Sequence, residues 1–380
     1  MVPVKRDMLP TSLKVRRRIG ICPRSIASAL LLFFASGSIS RAAPPKTLVV
    51  AVPGNLARGG HAPTLVRDSS LSTAERASLL PIKGNKTLAT SNSYVMPQTY
   101  GAKGDGVTDD TTAFQSALKS GDLLVSPATY LINYNIRVPS YRNVRCEPGA
   151  MLHTTRHDGR ESGVITFDAA NYSSVIGCTI TGSNTSSVPV LDRNQWNYLI
   201  WIRGPSRNLV VSGNTLKYSW ANSALHIDGD EGNPNVPSTD ILISHNDFES
   251  NGYYGVAIIS ANRVSVLHNR FLDSSCCAES NSPATDQSMD NVYAYNYMTA
   301  VNGNGATCEN CNSGIFFTGG ESPRNFNYGT VRVHDNYISG KNTRLIMSAD
   351  SGTTPPLYAN NQCVNGCRET LAPRFNRPSF

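Results

Sequence analysis

The chain has 380 residues, of which only 16% are charged, and it is rich in Gly, Asn, Ser and Thr. This composition excludes a coiled coil, a helical bundle and a charge-rich disordered chain. The formal net charge of +7 lies within residues 1–42, which hold eight cations and one anion, so the remainder carries 26 charges of each sign and has no overall attraction for nucleic acid.

The first 42 residues have the organisation of a secretory signal peptide. A cation-rich stretch through Arg24 precedes the apolar run 26–34, and the small residues Ser40 and Ala42 stand where a signal peptidase reads the chain. The apolar run is roughly half the ~20 residues that a membrane span needs. We therefore expect cleavage near Ala42, a secreted protein, extracellular or periplasmic, and no membrane association after cleavage.

A leader and a short helix are predicted next. Residues 43–93, rich in Pro, Ser, Thr and Ala, are interpreted as a loosely ordered leader or linker. The glycine-punctuated segment 100–110 then leads into a helix, for which Asp109 or Asp110 can cap the first turn and Gly121 marks the end. The apolar residues of this helix have the spacing of one buried stripe: Ala113, Phe114, Ala117 and Leu118.

Beyond residue 135 the sequence repeats one pattern, apolar-x-apolar-x-x-Asn-x-apolar. Clear copies occupy 209–216, 241–248, 264–271 and 331–338, and degenerate copies end at Cys178, Asn296 and Asn361. Alternation with a period of two predicts strands, and a repeat of a few tens of residues predicts a coil of strands that bury their faces by stacking. An asparagine at one recurring corner can hydrogen-bond to its counterparts above and below, so these residues are interpreted as structural.

These features resemble a known group of proteins. The 100–110 segment, the following helix at 112–118 and the asparagine-marked repeats resemble the pectate-lyase-like superfamily, in particular the rhamnogalacturonase/epimerase-like pectate lyase domain. The resemblance covers residues 94–380 and implies an all-β fold, a right-handed parallel β-helix with a short N-terminal capping α-helix. It also implies a secreted protein that acts on carbohydrate. The Asn-Thr-Asp, Gly-His-Gly and Arg-Ile-Lys hallmarks of polygalacturonases are absent from the sequence.

Each repeat carries a second strand ahead of the asparagine strand, and alternation places Phe167, Ile202 and Ile227 inward. One outward column then contains Thr166, Trp201 and His226, and the other contains Asp168, Arg203 and Asp228. With rungs ~4.8 Å apart, Asp168 and Asp228 would lie ~9.6 Å from each other. That separation is close to the upper end of the ~6.5–9.5 Å carboxylate spacing of an inverting glycosidase.

An acidic insertion follows the third of these strands. Asp230 and Glu231 follow Asp228 after Gly229, in a rung that is longer than its neighbour, and Asp228 and Asp230 lie two residues apart. Adjacent carboxylates repel, which raises one pKa and provides an acid/base pair. Alternatively, these three residues bind calcium, which prefers several oxygen ligands.

The favoured hypothesis is a secreted hydrolase that cleaves the glycosidic bonds of a polysaccharide and needs no cofactor. Asp228 would be the general acid, and Asp168 or Asp230 the base that activates water. The residues expected to position or stack on the sugar are Trp201, Arg203, His226, Glu231 and Tyr253.

Two alternatives stay open. In the first, Arg203 or His226 removes the C5 proton of a uronic acid, in β-elimination or C5 epimerisation, while Asp228, Asp230 and Glu231 hold calcium. In the second, the protein is a glycan-binding or surface-structural β-helix without catalysis. The charged column would then be a surface ion ladder of little energetic value.

Without Cys22, which lies in the predicted signal peptide, eight cysteines remain: Cys146, Cys178, Cys276, Cys277, Cys308, Cys311, Cys363 and Cys367. An even number in an exported chain predicts disulfides. Cys178 occupies the corner taken by asparagine in later repeats, and we expect it to bond to Cys146 one rung earlier. A zinc site at Cys308, Cys311, Cys363 and Cys367 is the alternative for those four thiols.

Overall fold

The computed structural model of the chain describes residues 93–133, 135–185, 196–220, 223–229, 236–274, 276–281, 290–300, 313–318, 331–340, 344–348 and 357–367. The predicted signal peptide and nearly all of the predicted leader, up to residue 92, lie outside the described residues. Within the described residues the secondary structure comprises 28 strands, one α-helix and one 3-10 helix.

The strands, numbered in chain order, form three sheets. Sheet A contains β1 (Tyr94–Val95), β3 (Asp122–Val125), β6 (Asn143–Cys146), β9 (Asn171–Ile176), β12 (Arg207–Ser212), β15 (Ser238–Ser244), β18 (Ala261–Leu267), β21 (Val292–Ala294), β24 (Arg332–His334) and β27 (Leu357–Ala359). Sheet B contains β2 (Asp105–Asp109), β4 (Ala128–Leu131), β7 (Ala150–His153), β10 (Thr179–Thr181), β13 (Thr215–Lys217), β16 (Asp247–Glu249), β19 (Arg270–Ser274), β22 (Tyr297–Ala300), β25 (Tyr337–Ser339) and β28 (Gln362–Val364). Sheet C contains β5 (Ile136–Val138), β8 (Ser162–Asp168), β11 (Asn197–Arg203), β14 (Ser223–Ile227), β17 (Tyr254–Ile258), β20 (Cys276–Asn281), β23 (Ser313–Thr318) and β26 (Arg344–Ser348).

The chain visits the three sheets in a fixed order. β8, β9 and β10 lie in sheets C, A and B, and β11, β12 and β13 repeat that order one rung further along. Neighbouring strands in each sheet are parallel. The fold is therefore the predicted right-handed parallel β-helix.

The interior is filled by side chains that stack from rung to rung. Phe167, Ile202 and Ile227 are aligned by the strand pairing and are fully buried, which confirms the predicted inward positions. In sheet B the rings of Phe248 and Phe271 stack with their centroids 4.8 Å apart. Because parallel strands repeat at nearly the same spacing as stacked rings, like residues pack on like residues along the core.

The first rungs are covered by the predicted helix, α1 (Thr111–Ser120), which follows a 3-10 helix (Pro97–Tyr100). The predicted apolar stripe of α1 is buried. Asp109 Oδ1 accepts the N–H of Thr111 at 3.0 Å, whereas the Asp110 carboxylate accepts main-chain N–H groups of the preceding loop. Gly121 ends the helix, and a Cβ there would lie 2.5 Å from the carbonyl oxygen of Ser93. Of the helices in the described residues, none has the length and apolarity needed to cross a membrane.

The corner between sheets A and B contains the predicted asparagine ladder. Its members, almost completely buried except for the last, are Asn214, Asn246, Asn269, Asn296, Asn336 and Asn361. The Nδ2 of Asn246 donates to Asn269 Oδ1 at 3.0 Å and to the main-chain oxygen of Val211 at 2.9 Å. Its Oδ1 accepts the N–H and the Nδ2 of Asn214 at 2.9 and 3.0 Å. Each amide from Asn246 to Asn336 therefore joins three successive rungs.

The residue before each ladder position has a left-handed backbone. His245, His268 and Tyr295 have φ values of 57°, 55° and 57°. Their rings stack outside the corner, with centroids 5.0 Å apart for both neighbouring pairs. The left-handed residue turns the chain sharply between the sheets, and its side chain then adds to the stacking outside the ladder. The stacking of these rings along the corner gives the two histidines a structural role.

Two disulfides are described. Cys146 is bonded to Cys178, as predicted, with the two Cα atoms 4.8 Å apart, and the Cys178 N–H donates to Asn214 Oδ1 at the corner of the ladder. Cys363 is bonded to Cys367, so the zinc alternative is wrong for these two thiols. The remaining predicted disulfide partners are Cys276 and Cys277, which lie in β20, and Cys308 and Cys311, which lie outside the described residues.

The ladder predicts a large effect of Asn246→Ala on stability. The substitution leaves two buried donors of Asn214 without their acceptor, and we expect the free energy of unfolding to fall by about 2–4 kcal/mol. Asn171→Ala is the matched control, because the Asn171 side chain makes one long hydrogen bond of 3.4 Å to the Ala169 oxygen. Denaturant unfolding of both variants checks the prediction, and equal losses would contradict the ladder's role.

Removal of Cys146–Cys178 should destabilise the protein more than removal of Cys363–Cys367. The first disulfide closes a separation of 32 residues and the second a separation of 4. The chain-entropy model then gives losses of about 3–4 and about 2 kcal/mol for the two Cys→Ala pairs. Denaturant unfolding of the paired variants measures the difference, and a smaller loss for the longer loop would be the opposite result.

Candidate functional site

The strand pairing aligns the predicted outward columns on sheet C. Trp201 lies beside Thr166 on one side and His226 on the other, and Arg203 lies beside Asp168. Asp228 directly follows β14, and its N–H donates to the oxygen of Ile202 at 2.7 Å. The polar side chains of β8, β11 and β14 therefore form one cluster on three neighbouring rungs.

Asp228 is held by two side-chain donors from different rungs. The indole Nε1 of Trp201 donates to Oδ2 at 2.9 Å, and His226 Nε2 lies 3.0 Å from Oδ1. The other ring nitrogen of His226 lies 3.0 Å from the hydroxyl of Ser223. Both ring nitrogens of His226 are thus engaged, and the carboxylate of Asp228 is fixed in position.

The backbone around Asp228 is also fixed. The Ser238 hydroxyl donates to the main-chain oxygen of Asp228 at 2.6 Å. A Cβ at the buried Gly229 would lie 2.7 Å from the Ser260 hydroxyl and 2.8 Å from the Val236 oxygen, so glycine permits this close approach. The position of the carboxylate is consequently determined by main chain as well as by side chains.

Aromatic and cationic groups cover the cluster. The Tyr198 ring stacks on His226 with centroids 4.4 Å apart, and the Arg203 guanidinium lies 4.5 Å from the centroid of the Trp201 ring. Gly163 makes room beneath, because a Cβ there would lie 2.9 Å from the Trp201 Cβ. A guanidinium over an indole face is attracted by the charge distribution of the ring.

This covering corrects the expectation of exposed stacking faces. Trp201 is 2% exposed and Tyr253 is 7% exposed, so neither offers a free ring face to a sugar. Trp201 is buried because Arg203 lies over its ring. Tyr253 is buried because it packs against Tyr254, and the Tyr254 hydroxyl donates to the Tyr253 hydroxyl at 3.1 Å. Trp201 instead contacts the site through its indole N–H.

Asp168 is the more accessible carboxylate. Its side chain is 39% exposed and lies between two guanidinium groups, Arg203 at 3.6 Å and Arg137 at 3.9 Å. Both distances are longer than those of charge-assisted hydrogen bonds, and such pairs contribute little stability when exposed. Asp168 and Asp228 lie two rungs apart with Arg203 between them, as the sequence predicted.

The electrostatics of Asp228 differ from the expectation for a general acid. Burial alone would raise its pKa, but the charge and hydrogen bond of His226, the hydrogen bond from Trp201 and the charge of Arg203 outweigh burial. The pKa of Asp228 is therefore below its ordinary value of 3.8. Asp228 is ionised at neutral pH, which suits a base rather than an acid.

The acidic insertion is not part of the described geometry. Asp230 and Glu231 lie outside the described residues, so their predicted roles as catalyst, sugar ligand or calcium ligand stay predictions. Within the described ranges, no group of three or more His, Cys, Asp or Glu side chains is arranged to hold a metal ion.

Sequence reasoning missed three members of the cluster: Arg137, Tyr198 and Ser223. Arg137 pairs with Thr166 from the three-residue strand β5, which is too short to show alternation. Tyr198 and Ser223 lie three residues before Trp201 and His226, a spacing that strict alternation assigns to the inner face. They contact His226 because two consecutive residues of each strand, Leu199 and Ile200 in β11 and Ala224 and Leu225 in β14, lie in the core, which breaks the alternation.

Comparisons with known proteins concern the fold. No family model matches the chain. A 47-residue stretch, 12% of the chain, is 49% identical to the pre-neck appendage protein of Bacillus phage phi29, and it spans only 6% of that relative's length. The preneck appendage protein of Bacillus phage PZA matches to the same extent.

Solved structures show the same kind of architecture. The family 28 exopolygalacturonase of Yersinia enterocolitica superposes with a TM-score of 0.51 at 14% identity, covering 71% of this chain and 58% of that one. The pre-mature bacteriophage phi29 gene product 12 gives 0.48 at 15% identity, covering 67% and 36% of the two chains. At 14% identity the likeness to the Yersinia enterocolitica enzyme is one of fold alone, that of a parallel β-helix.

The lowered pKa of Asp228 predicts a change in acid stability. Ionised Asp228 stabilises the fold above its unfolded pKa, and this contribution is lost as pH falls through the folded pKa. Between about pH 5 and pH 3, Asp228→Asn should therefore lose less free energy of unfolding than wild type. Denaturant unfolding across this range measures the difference, and parallel curves would contradict it.

Asp247→Asn is the control of opposite sign. Burial raises the pKa of Asp247, although Arg270 lies 3.2 Å away and acts in the other direction. Because its folded pKa is raised, Asp247 stabilises the fold at low pH. This contribution to the free energy of unfolding is lost as pH rises through the folded pKa. Replacement of Asp247 should accordingly make the loss of stability on acidification larger than in wild type.

Proposed function

We propose that this protein is an exported enzyme that binds a polysaccharide across the outer face of sheet C and hydrolyses its glycosidic bonds. The observation that carries the proposal is the fixed, ionised Asp228, held by Trp201 and His226, with Asp168 two rungs away. An oxidising destination agrees with the two described disulfides. The classification of the protein among rhamnogalacturonase/epimerase-like domains is part of the same proposal.

Asp228 is proposed as the general base. It removes a proton from water, the resulting hydroxide adds to the anomeric carbon, and the glycosidic bond breaks. The departing oxygen takes a proton from a second carboxylic acid, Asp168 or Asp230. Two strand spacings separate Asp168 from Asp228 by ~9.6 Å, which is near the upper end of the inverting range and leaves room for the water.

Arg203 and His226 are proposed as positioning residues. Arg203 contacts Asp168 and lies over Trp201, so it can bind a sugar hydroxyl or carboxylate between the two acids. His226 spans Ser223 and Asp228, and it keeps the carboxylate in place. A role for His226 as the base in β-elimination would require it to give up one of these contacts.

A non-catalytic glycan-binding protein is the second candidate. Both oxygens of Asp228 already have partners within the protein, and Asp168 already lies between two arginines. A surface fixed in this way can bind a polymer through charges and hydroxyl contacts without reacting with it. Turnover on a retained polymer separates the two candidates.

Asp228→Asn should abolish most turnover on a polymer that wild type cleaves. The amide keeps the size of the side chain but cannot take the proton from water, so we expect kcat to fall by a factor on the order of 10²–10⁴. Asp240→Asn is the matched control, since Asp240 is paired with Arg263 at 2.7 Å on sheet A. Near-full activity of Asp228→Asn would remove Asp228 from the mechanism.

The products and the metal dependence test the reaction class. Hydrolysis produces new reducing ends without unsaturated sugars and is insensitive to EDTA in this proposal. Unsaturated products together with loss of activity in EDTA would show the calcium-assisted elimination instead. Retention of a polymer with no product after long incubation would show the binding function.

A further inference from the structure

Two tyrosines stack on the surface where sheet A begins, Tyr141 just before β6 and Tyr172 at the start of β9. The rings of Tyr141 and Tyr172 have centroids 5.4 Å apart and planes only 12° from parallel. Tyr141 is 59% exposed and Tyr172 is 39% exposed, whereas the rings of Phe248 and Phe271 stack in the core. The pair therefore forms an aromatic surface that is accessible from solvent.

The backbone at this pair disfavours tyrosine. Tyr141 and Tyr172 have φ values of 62° and 55°, in the left-handed region that a bulky side chain occupies at a cost. The same position in the next rungs is also left-handed, with φ values of 55°, 59° and 53° at Asn208, Asp240 and Arg263. The turn thus needs the conformation but not an aromatic ring, and asparagine and aspartate adopt it more readily.

The pair lies beside the proposed active site. Tyr141 and Tyr172 each come four residues after a charged residue of the site, Arg137 and Asp168. Four residues of chain reach at most ~14 Å, so Tyr172 lies within that distance of Asp168. The Arg137 side chain, which is 65% exposed, lies 3.9 Å from the Asp168 carboxylate, which is itself accessible. A polymer that contacts Asp168 can therefore continue onto the two rings.

We propose that Tyr141 and Tyr172 form a subsite in which one sugar ring of the polysaccharide stacks, beside the sugar that contacts Asp168. This inference rests on the proposed function. A pyranose has a flat face of C–H groups edged by hydroxyls, which matches an amphipathic tyrosine ring with a polar tip. Two side chains are far too few for a protein interface of ~800 Å² per partner. The pair supplies affinity, while the chemistry takes place at the carboxylates.

The double variant Tyr141→Asn/Tyr172→Asn tests the subsite. Asparagine is chosen because Asn208 has the same conformation in the next rung, so the melting temperature should stay near that of wild type. Tyr94→Asn, at a tyrosine 51% exposed on β1, is the matched control, and Tyr141→Phe/Tyr172→Phe preserves the rings. The probes are polygalacturonate, alginate and a neutral β-glucan, in affinity electrophoresis and in turnover assays.

For the polymer that wild type retains, the Asn double variant should show a rise of about tenfold in the dissociation constant and in KM, with kcat within about twofold. The Phe double variant and Tyr94→Asn should behave like wild type. Unchanged retention by the folded Asn double variant would overturn the subsite and leave the proposed function intact. If wild type neither retains nor cleaves any of the three polymers, the proposed function is overturned and the subsite with it.

Discussion

The amide of each inner ladder asparagine, from Asn246 to Asn336, connects three rungs at once. Its Nδ2 binds the main chain of the rung before and the Oδ1 of the rung after, and its own Oδ1 satisfies two donors of the rung before. A slip of one residue in any rung would break these bonds and exchange inward for outward side chains. The register of the β-helix therefore depends on this one corner.

The cluster on sheet C depends on that register. Trp201 and Asp228 come from different strands and meet only because β11 and β14 are aligned residue by residue. The indole then fixes a carboxylate one rung away, and Arg203 covers the indole. Contacts across rungs hold a charged group in place where a single loop would leave it free to move. The lowered pKa of Asp228 is a result of this arrangement.

The fold, the ladder and the two outward columns could be predicted from the sequence, because the alternation of apolar residues and the repeat of one whole rung are both visible in it. The disulfide Cys146–Cys178 could also be predicted, since Cys178 stands where the ladder pattern has asparagine. The burial of Trp201 could not be predicted, because it results from a contact between side chains of one strand, and neither could the places of Tyr198 and Ser223, because alternation breaks within β11 and β14. The expected role of Asp228 as a general acid conflicts with its lowered pKa, because alternation places Trp201, His226 and Arg203 nearby but does not show their hydrogen bonds and charges acting on the carboxylate.

The ladder also has a direction. Every amide donates to the amide of the following rung, from Asn214 through to Asn361, so the side-chain dipoles point the same way and polarise one another. The two ends are consequently different electrically. At the first end, Asn214 Oδ1 accepts the main-chain N–H of Cys178, which is itself bonded to Cys146. At the other end, a rung stacked on Asn361 would have to supply an acceptor for the amide of Asn361. Addition of rungs, by design or by duplication, is therefore a different chemical problem at each end.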